Sequence, residues 1–185
     1  MSAVKDGFGS EEAAEAFRRA HDICQQMGDM PELLEVAFGS CRFFWIKGDR
    51  ERALALAEQM QSMVRGRSDP VRTMAAHAAM GSVRAMRGEF AEATGALMSG
   101  LELARMHWND GLIGVYGGDL EVVCASTVAN VLQIRGYPDQ ALVYVTEMLR
   151  KTHTTPMAAV DAFYGTALFY QIRRDAERVL EFAER

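Results

Sequence analysis

The sequence predicts an all-α fold built of stacked antiparallel helix hairpins. Three observations carry that prediction. A motif of cation, tight-turn residue and acid recurs as Lys47-Gly48-Asp49, Arg87-Gly88-Glu89, Arg135-Gly136-Tyr137-Pro138-Asp139 and Arg173-Arg174-Asp175. A second set of breaks lies one helix length upstream of each, at Pro31, Pro70, Asp119 and Pro156. Small or aliphatic residues recur at Ala13, Ala53, Ala93, Ala141 and Val179, at intervals of 40, 40, 48 and 38. Repetition at such a period marks an array in which each unit buries its apolar face against its neighbours.

The elements follow in chain order. Glu11 to Met27 reads as a helix, with Glu11-Glu12 offsetting the positive end of its dipole. It is expected to be the second helix of a hairpin. The next first helix runs from Pro31 to Gly48, 17 positions on. Proline suits a helix start because the first N–H groups have no partner there. Lys47 complements the negative helix end, and Gly48 takes the left-handed closing conformation. Asp49 then opens a helix with Ala53, Ala57 and Met60 on one face. The pattern repeats from Pro70 to Gly88, with Gly81 in a tight packing slot, and continues through Ala93, Leu97 and Gly100.

The 48-residue interval carries eight extra residues, which fall between Met106 and Gly118. An insertion loop is therefore expected at 107–118, with Trp108, Tyr116 and Asp119 as its aromatic and polar features. Asp119 to Gly136 forms the fourth first helix, followed by Ala141, Val145 and Met148. Pro156 to Arg174 forms the last, followed by Val179 and Ala183. The chain reads as one domain, 1–185, with repeats at about 10–28, 31–67, 70–106, 119–152 and 156–185.

Composition narrows the function. The 185 residues carry 20 Lys and Arg against 25 Asp and Glu, a net charge of −5. An acidic chain lacks the footprint of a nucleic-acid binder. Cys24, Cys41 and Cys124 make an odd set with no C-x-x-C pair, which argues for buried thiols in a reducing compartment. Met1 to Glu12 has no apolar core of a signal peptide, and no run reaches the ~18 apolar residues of a membrane span. A cytoplasmic location is expected.

No catalytic constellation stands out. His21, His77, His107 and His153 have no metal-ligand spacing, so no metal is expected. The run Gly111 to Gly118 is glycine-rich but lacks the Lys-Ser/Thr pair of a phosphate loop, and reads as a flexible connection. No G-x-S-x-G occurs. The 12 methionines sit mostly at core spacing. No cofactor is expected.

The first helices of such an array line its concave face. Counting back from the turns places Glu35, Phe38, Arg42 and Trp45 there in one hairpin, and Ala78, Ser82 and Ala85 in the next. Val123, Ser126, Asn130 and Gln133 follow, then Asp161, Tyr164, Leu168 and Gln171. This face suits a peptide or helix.

Glycine five positions before Ala53, Ala93 and Ala141, with Gly81 upstream, resembles the tetratricopeptide repeat, a right-handed superhelix of helix hairpins; the period here is nearer 40 than 34. The slots usually holding tryptophan carry Ala37, His77, Ala125 and Phe163. The stretches Phe43 to Asp49, Ala76 to Gly81, Gly88 to Ala93, Tyr116 to Asp119, Gly136 to Ala141 and Gln171 to Asp175 are similar to the C-terminal helical-repeat region of bacterial signalling ATPases. Those proteins join a nucleotide cyclase or helix-turn-helix output domain to a nucleotide-binding switch and then to such repeats. The resemblance implies a non-catalytic interaction, scaffold or regulatory module of a longer polypeptide, with any cyclase or ATPase activity elsewhere in it. A protein, a peptide or other domains of that polypeptide are the expected partners, and a homodimer is compatible. The alternative is an inducer-sensing domain of such a regulator, with a pocket expected near Trp108 and Tyr116.

Overall fold

The structure, a computed structural model, describes residues 33–185 together with 12, 15–17, 19, 20 and 23. It is all-helical, with no strand among the described residues. The elements are α1 Leu33–Lys47, α2 Arg50–Val64, α3 Pro70–Arg87, α4 Phe90–His107, α5 Ile113–Tyr116, α6 Leu120–Ile134, α7 Pro138–Arg150, α8 Pro156–Ile172 and α9 Ala176–Ala183. Short 3-10 turns at Asp110–Leu112 and Lys151–His153 precede α5 and α8. Described residues of the predicted first repeat, from Glu12 to Ile23, are helical, and Phe17 lies against Phe43 with ring centroids 6.3 Å apart. Ala13, Cys24, Met27 and Pro31 lie outside the described residues.

The turn chemistry works as the residue types require. Gly48, Gly88 and Gly136 sit at φ of 76°, 80° and 85°, where a Cβ would be strained. Arg174 holds the same corner at φ 60° without being glycine. Asp49 and Asp175 accept hydrogen bonds from the amides of Arg52 and Arg178 and so cap α2 and α9. Glu89 makes no such bond; its carboxylate instead accepts from Arg87 Nε at 2.7 Å, at the end of the preceding helix. Pro70, Pro138 and Pro156 each open a helix, and Asp119 does the equivalent work for α6.

The pairs α1–α2, α3–α4, α6–α7 and α8–α9 pack as hairpins, and the first helices contact one another in the order α1, α3, α6, α8. The small-residue face is the core. Ala53, Ala57, Met60, Ala93, Leu97, Ala141, Val145 and Met148 are each 3% exposed or less. A Cβ on Gly81 would collide with the Leu97 side chain, which is why α3 and α4 approach so closely. The pattern gives way in the last hairpin. Val179 is half-buried and Ala183 exposed, while Phe182 enters the core and stacks on Tyr170 at 5.8 Å.

The expected insertion loop contains helical structure, a 3-10 turn and α5. Its 3-10 turn packs on α5, α5 contacts α1, and Tyr116 meets Phe38 edge-on at 5.3 Å. Aromatic burial outweighs the freedom of four glycines in that stretch. Cys41 and Cys124 are buried, and burial pushes both thiols up to about 12, which keeps them protonated and unreactive. Among the described residues, no helix is long and apolar enough to cross a membrane, and no cluster of three or more His, Cys, Asp or Glu is placed to hold a metal.

Candidate functional site

The four first helices enclose a half-open cavity of about 270 Å³. Helices whose packing faces carry small residues approach closely at the core, and their other faces then diverge. From α1 the cavity receives Phe38, Cys41, Arg42 and Trp45. From α3 it receives the small residues Ala78, Ala79, Ser82 and Ala85, with Val83 and Met86, and Phe90 adds a ring from the start of α4. From α6 come Val123, Ser126, Thr127, Asn130, Val131 and Ile134, and from α8 Asp161, Tyr164 and Leu168.

Twelve of the fifteen predicted groove residues therefore meet on one cavity, among them Phe38, Arg42, Trp45, Ser82, Asn130, Asp161 and Tyr164. Three do not. Glu35 lies one turn upstream on α1, where its Oε1 accepts a hydrogen bond from Arg72 Nε at 3.1 Å. Gln133 accepts one from Arg173 at 3.4 Å, and Gln171 is exposed in the last turn of α8. Face counting keeps a side chain on the correct stripe to the end of a helix, but the cavity covers only the middle of each stripe.

One end of the cavity is polar and already engaged. Arg42 Nη1 donates to the Gly117 carbonyl at 2.7 Å, across 75 residues of chain. Asp161 Oδ2 accepts from the Asp119 backbone N–H at 2.9 Å, across 42 residues. A Cβ on Gly118 would lie 2.8 Å from Asp161 Oδ2 and 3.2 Å from Arg42 Nη1, so only glycine passes between the two charges. Burial lowers the Arg42 guanidinium from its ordinary value, and the nearby Asp161 charge works against that fall. Burial likewise raises the Asp161 carboxyl, opposed by the Asp119 N–H and by Arg42. Arg42 and Asp161 are the cavity's one cation and one anion among the described residues, and they lie at the same end.

The insertion residues play other parts. Asp119 is fully buried and caps α6, its Oδ1 accepting from the amides of Glu121 and Val122 at 2.9 and 3.3 Å. Tyr116 is 4% exposed, and burial, then the Glu35 carboxylate, push its hydroxyl far above the usual range. Trp108 closes α4 through its backbone N–H to the Ala104 carbonyl and lies 6.5 Å from the Tyr116 ring. The aromatic pair fills core volume, and the cavity lies instead among the first helices.

Sequence reasoning missed eight residues of the cavity wall, Cys41, Ala79, Val83, Met86, Phe90, Thr127, Val131 and Ile134, of which Met86 and Ile134 hold equivalent places at the ends of α3 and α6. For those two a signal was present: an aliphatic residue precedes the cation of every turn, as Ile46, Met86, Ile134 and Ile172. Comparison of the chain with protein-family models, curated proteins and solved structures gives no match. Chemically, the site offers an apolar recess with one charge pair committed to backbone, an arrangement suited to recognition by shape.

Proposed function

We propose that the chain is a non-catalytic protein-interaction module, and that a partner segment seats in the cavity between α1, α3, α6 and α8. The observation that carries this reading is the convergence of one face from four successive first helices on a single apolar recess. We read the hairpins as a tetratricopeptide-like right-handed array, supported by the left-handed glycine corners and the period near 40. On that reading the module serves as the regulatory or scaffold part of a longer bacterial signalling ATPase that works in the cytoplasm.

The test uses peptides selected by display against the folded chain. Their affinity is then measured for Ser82→Phe, which fills the cavity, and for Val143→Ser, on the back of α7 where Val143 is 55% exposed. Loss of binding with Ser82→Phe alone supports the reading. Equal binding to both variants removes the cavity from the function. Arg42→Ala is a poorer probe, because Arg42 also holds the Gly117 carbonyl.

A second reading is favoured by one observation. A recess of about 270 Å³ is close to the ~300 Å³ at which small-molecule pockets begin. A sensor of a small inducer would show a ligand-dependent rise in melting temperature that Ser82→Phe abolishes, with no peptide selected.

A further inference from the structure

The turn cations are each preceded by an aliphatic residue, and the structure shows what this register does. Ile46, Ile134 and Ile172 are 44%, 51% and 39% exposed, in the last turns of α1, α6 and α8. Met86 holds the same position on α3. Successive first helices contact each other, and the four residues hold equivalent last-turn positions along that stack, one per hairpin. Met86 and Ile134 also line the cavity, and so does Tyr164, 58% exposed. Lone exposed aliphatics are ordinary, but a series in equivalent positions beside an apolar recess is a rim with a direction.

This geometry separates a segment from a small molecule. A compact ligand held in the recess would leave the rim wet. A protein segment with one side chain in the recess would cover the rim as well. The recess also has a charge preference. Arg42 and Asp161 lie within reach of each other, and each is bound to the Gly117–Asp119 turn. A charged anchor would lose its hydration, meet one like charge, and find the opposite charge already engaged.

We infer that the partner is a protein segment that inserts one compact, uncharged apolar side chain between Ser82, Asn130 and Trp45 and lays further apolar residues along the Ile46–Met86–Ile134–Ile172 rim. This rests on the interaction reading above and specifies the chemistry of its partner.

The experiment takes the display-selected peptides and exchanges the anchor residue for Asp, Lys and a second apolar residue. Binding is read by fluorescence polarisation against the full chain, Ser82→Phe and Ile134→Ser. The expected result is retention with the apolar exchange, and about tenfold or greater weakening with Asp, with Lys, with Ser82→Phe and with Ile134→Ser. Ile134 is half-exposed, so that variant keeps the fold, and matched melting temperatures verify it. Binders that need a charged anchor yet are lost in Ser82→Phe overturn this inference and leave the interaction reading standing. Binders indifferent to Ser82→Phe, or a selection that yields none, overturn both. Saturable binding of benzyl alcohol in the recess without any peptide binder assigns the site to a small molecule and overturns the inference too.

Discussion

At the scale of single residues, the turn between α5 and α6 is tightly constrained by charged neighbours. Gly118 passes between Asp161 and Arg42 with no room for a methyl group. Neither neighbour is free to yield, because each is hydrogen-bonded to the turn itself. Gly118→Ala is expected to destabilise the chain by about 1–3 kcal/mol, read by urea denaturation. A change under about 0.5 kcal/mol, within the range of ordinary surface substitutions, would show that the turn can shift. Asp161 gives a pH signature. Its carboxyl is raised on folding from the ordinary 3.8, so the folded state binds more protons in the window above that value. Its contribution to stability is complete below 3.8 and lost as pH rises through the folded value. Asp161→Asn keeps an oxygen for the Asp119 N–H and removes the charge. Its stability relative to the parent is expected to improve as pH rises from below 3.8 to neutrality. A difference independent of pH would contradict the desolvated-carboxylate account.

At the scale of elements, the helix ends show how much of the fold the residue types dictate. Glycine at positive φ, proline at the first helical position and aspartate caps each solve a local backbone problem, and local problems are legible in sequence. The fourth turn is the exception, since Arg174 takes the left-handed corner at φ 60°. Arg174→Gly removes that strain and is expected to stabilise the chain by about 0.5–1 kcal/mol in thermal or urea melts. A destabilised variant would show that the arginine side chain outweighs its backbone. What sequence could not supply is contact over distance. The Arg42–Gly117 and Asp161–Asp119 bonds join residues 75 and 42 apart, and no periodicity encodes them. The insertion misled for a related reason. Its glycines suggest mobility, yet Tyr116 finds a buried place against Phe38 that composition does not reveal. Leu97 tests the hairpin seam directly. Fully buried against Gly81, it should cost about 2–5 kcal/mol as Leu97→Ala.

At the scale of the whole molecule, the hairpins act as a frame that turns one stripe of each first helix toward a common recess. Phe38, Arg42, Trp45, Ser82, Asn130, Asp161 and Tyr164 were legible because a stripe at helical spacing needs only a reliable starting turn. Glu35, Gln133 and Gln171 lie on the same stripes beyond the recess, whose length depends on how the helices diverge. The proposed place of the module in a larger signalling protein predicts a native product far above 20.5 kDa, checked by immunoblot of source cells. A band at 20.5 kDa would make it a free-standing adaptor. The central claim is that recognition happens in the recess and along its rim. The measurement closest to it is the affinity of one display-selected peptide across two sets of variants. Trp45→Ala, Ser82→Phe and Ile134→Ser alter the recess and rim; Val143→Ser and Leu180→Ser alter exposed positions on second helices. The account predicts about tenfold or greater loss in the first set and near-parental affinity in the second, at matched melting temperatures. Losses confined to the second set, or spread equally over both, would contradict it.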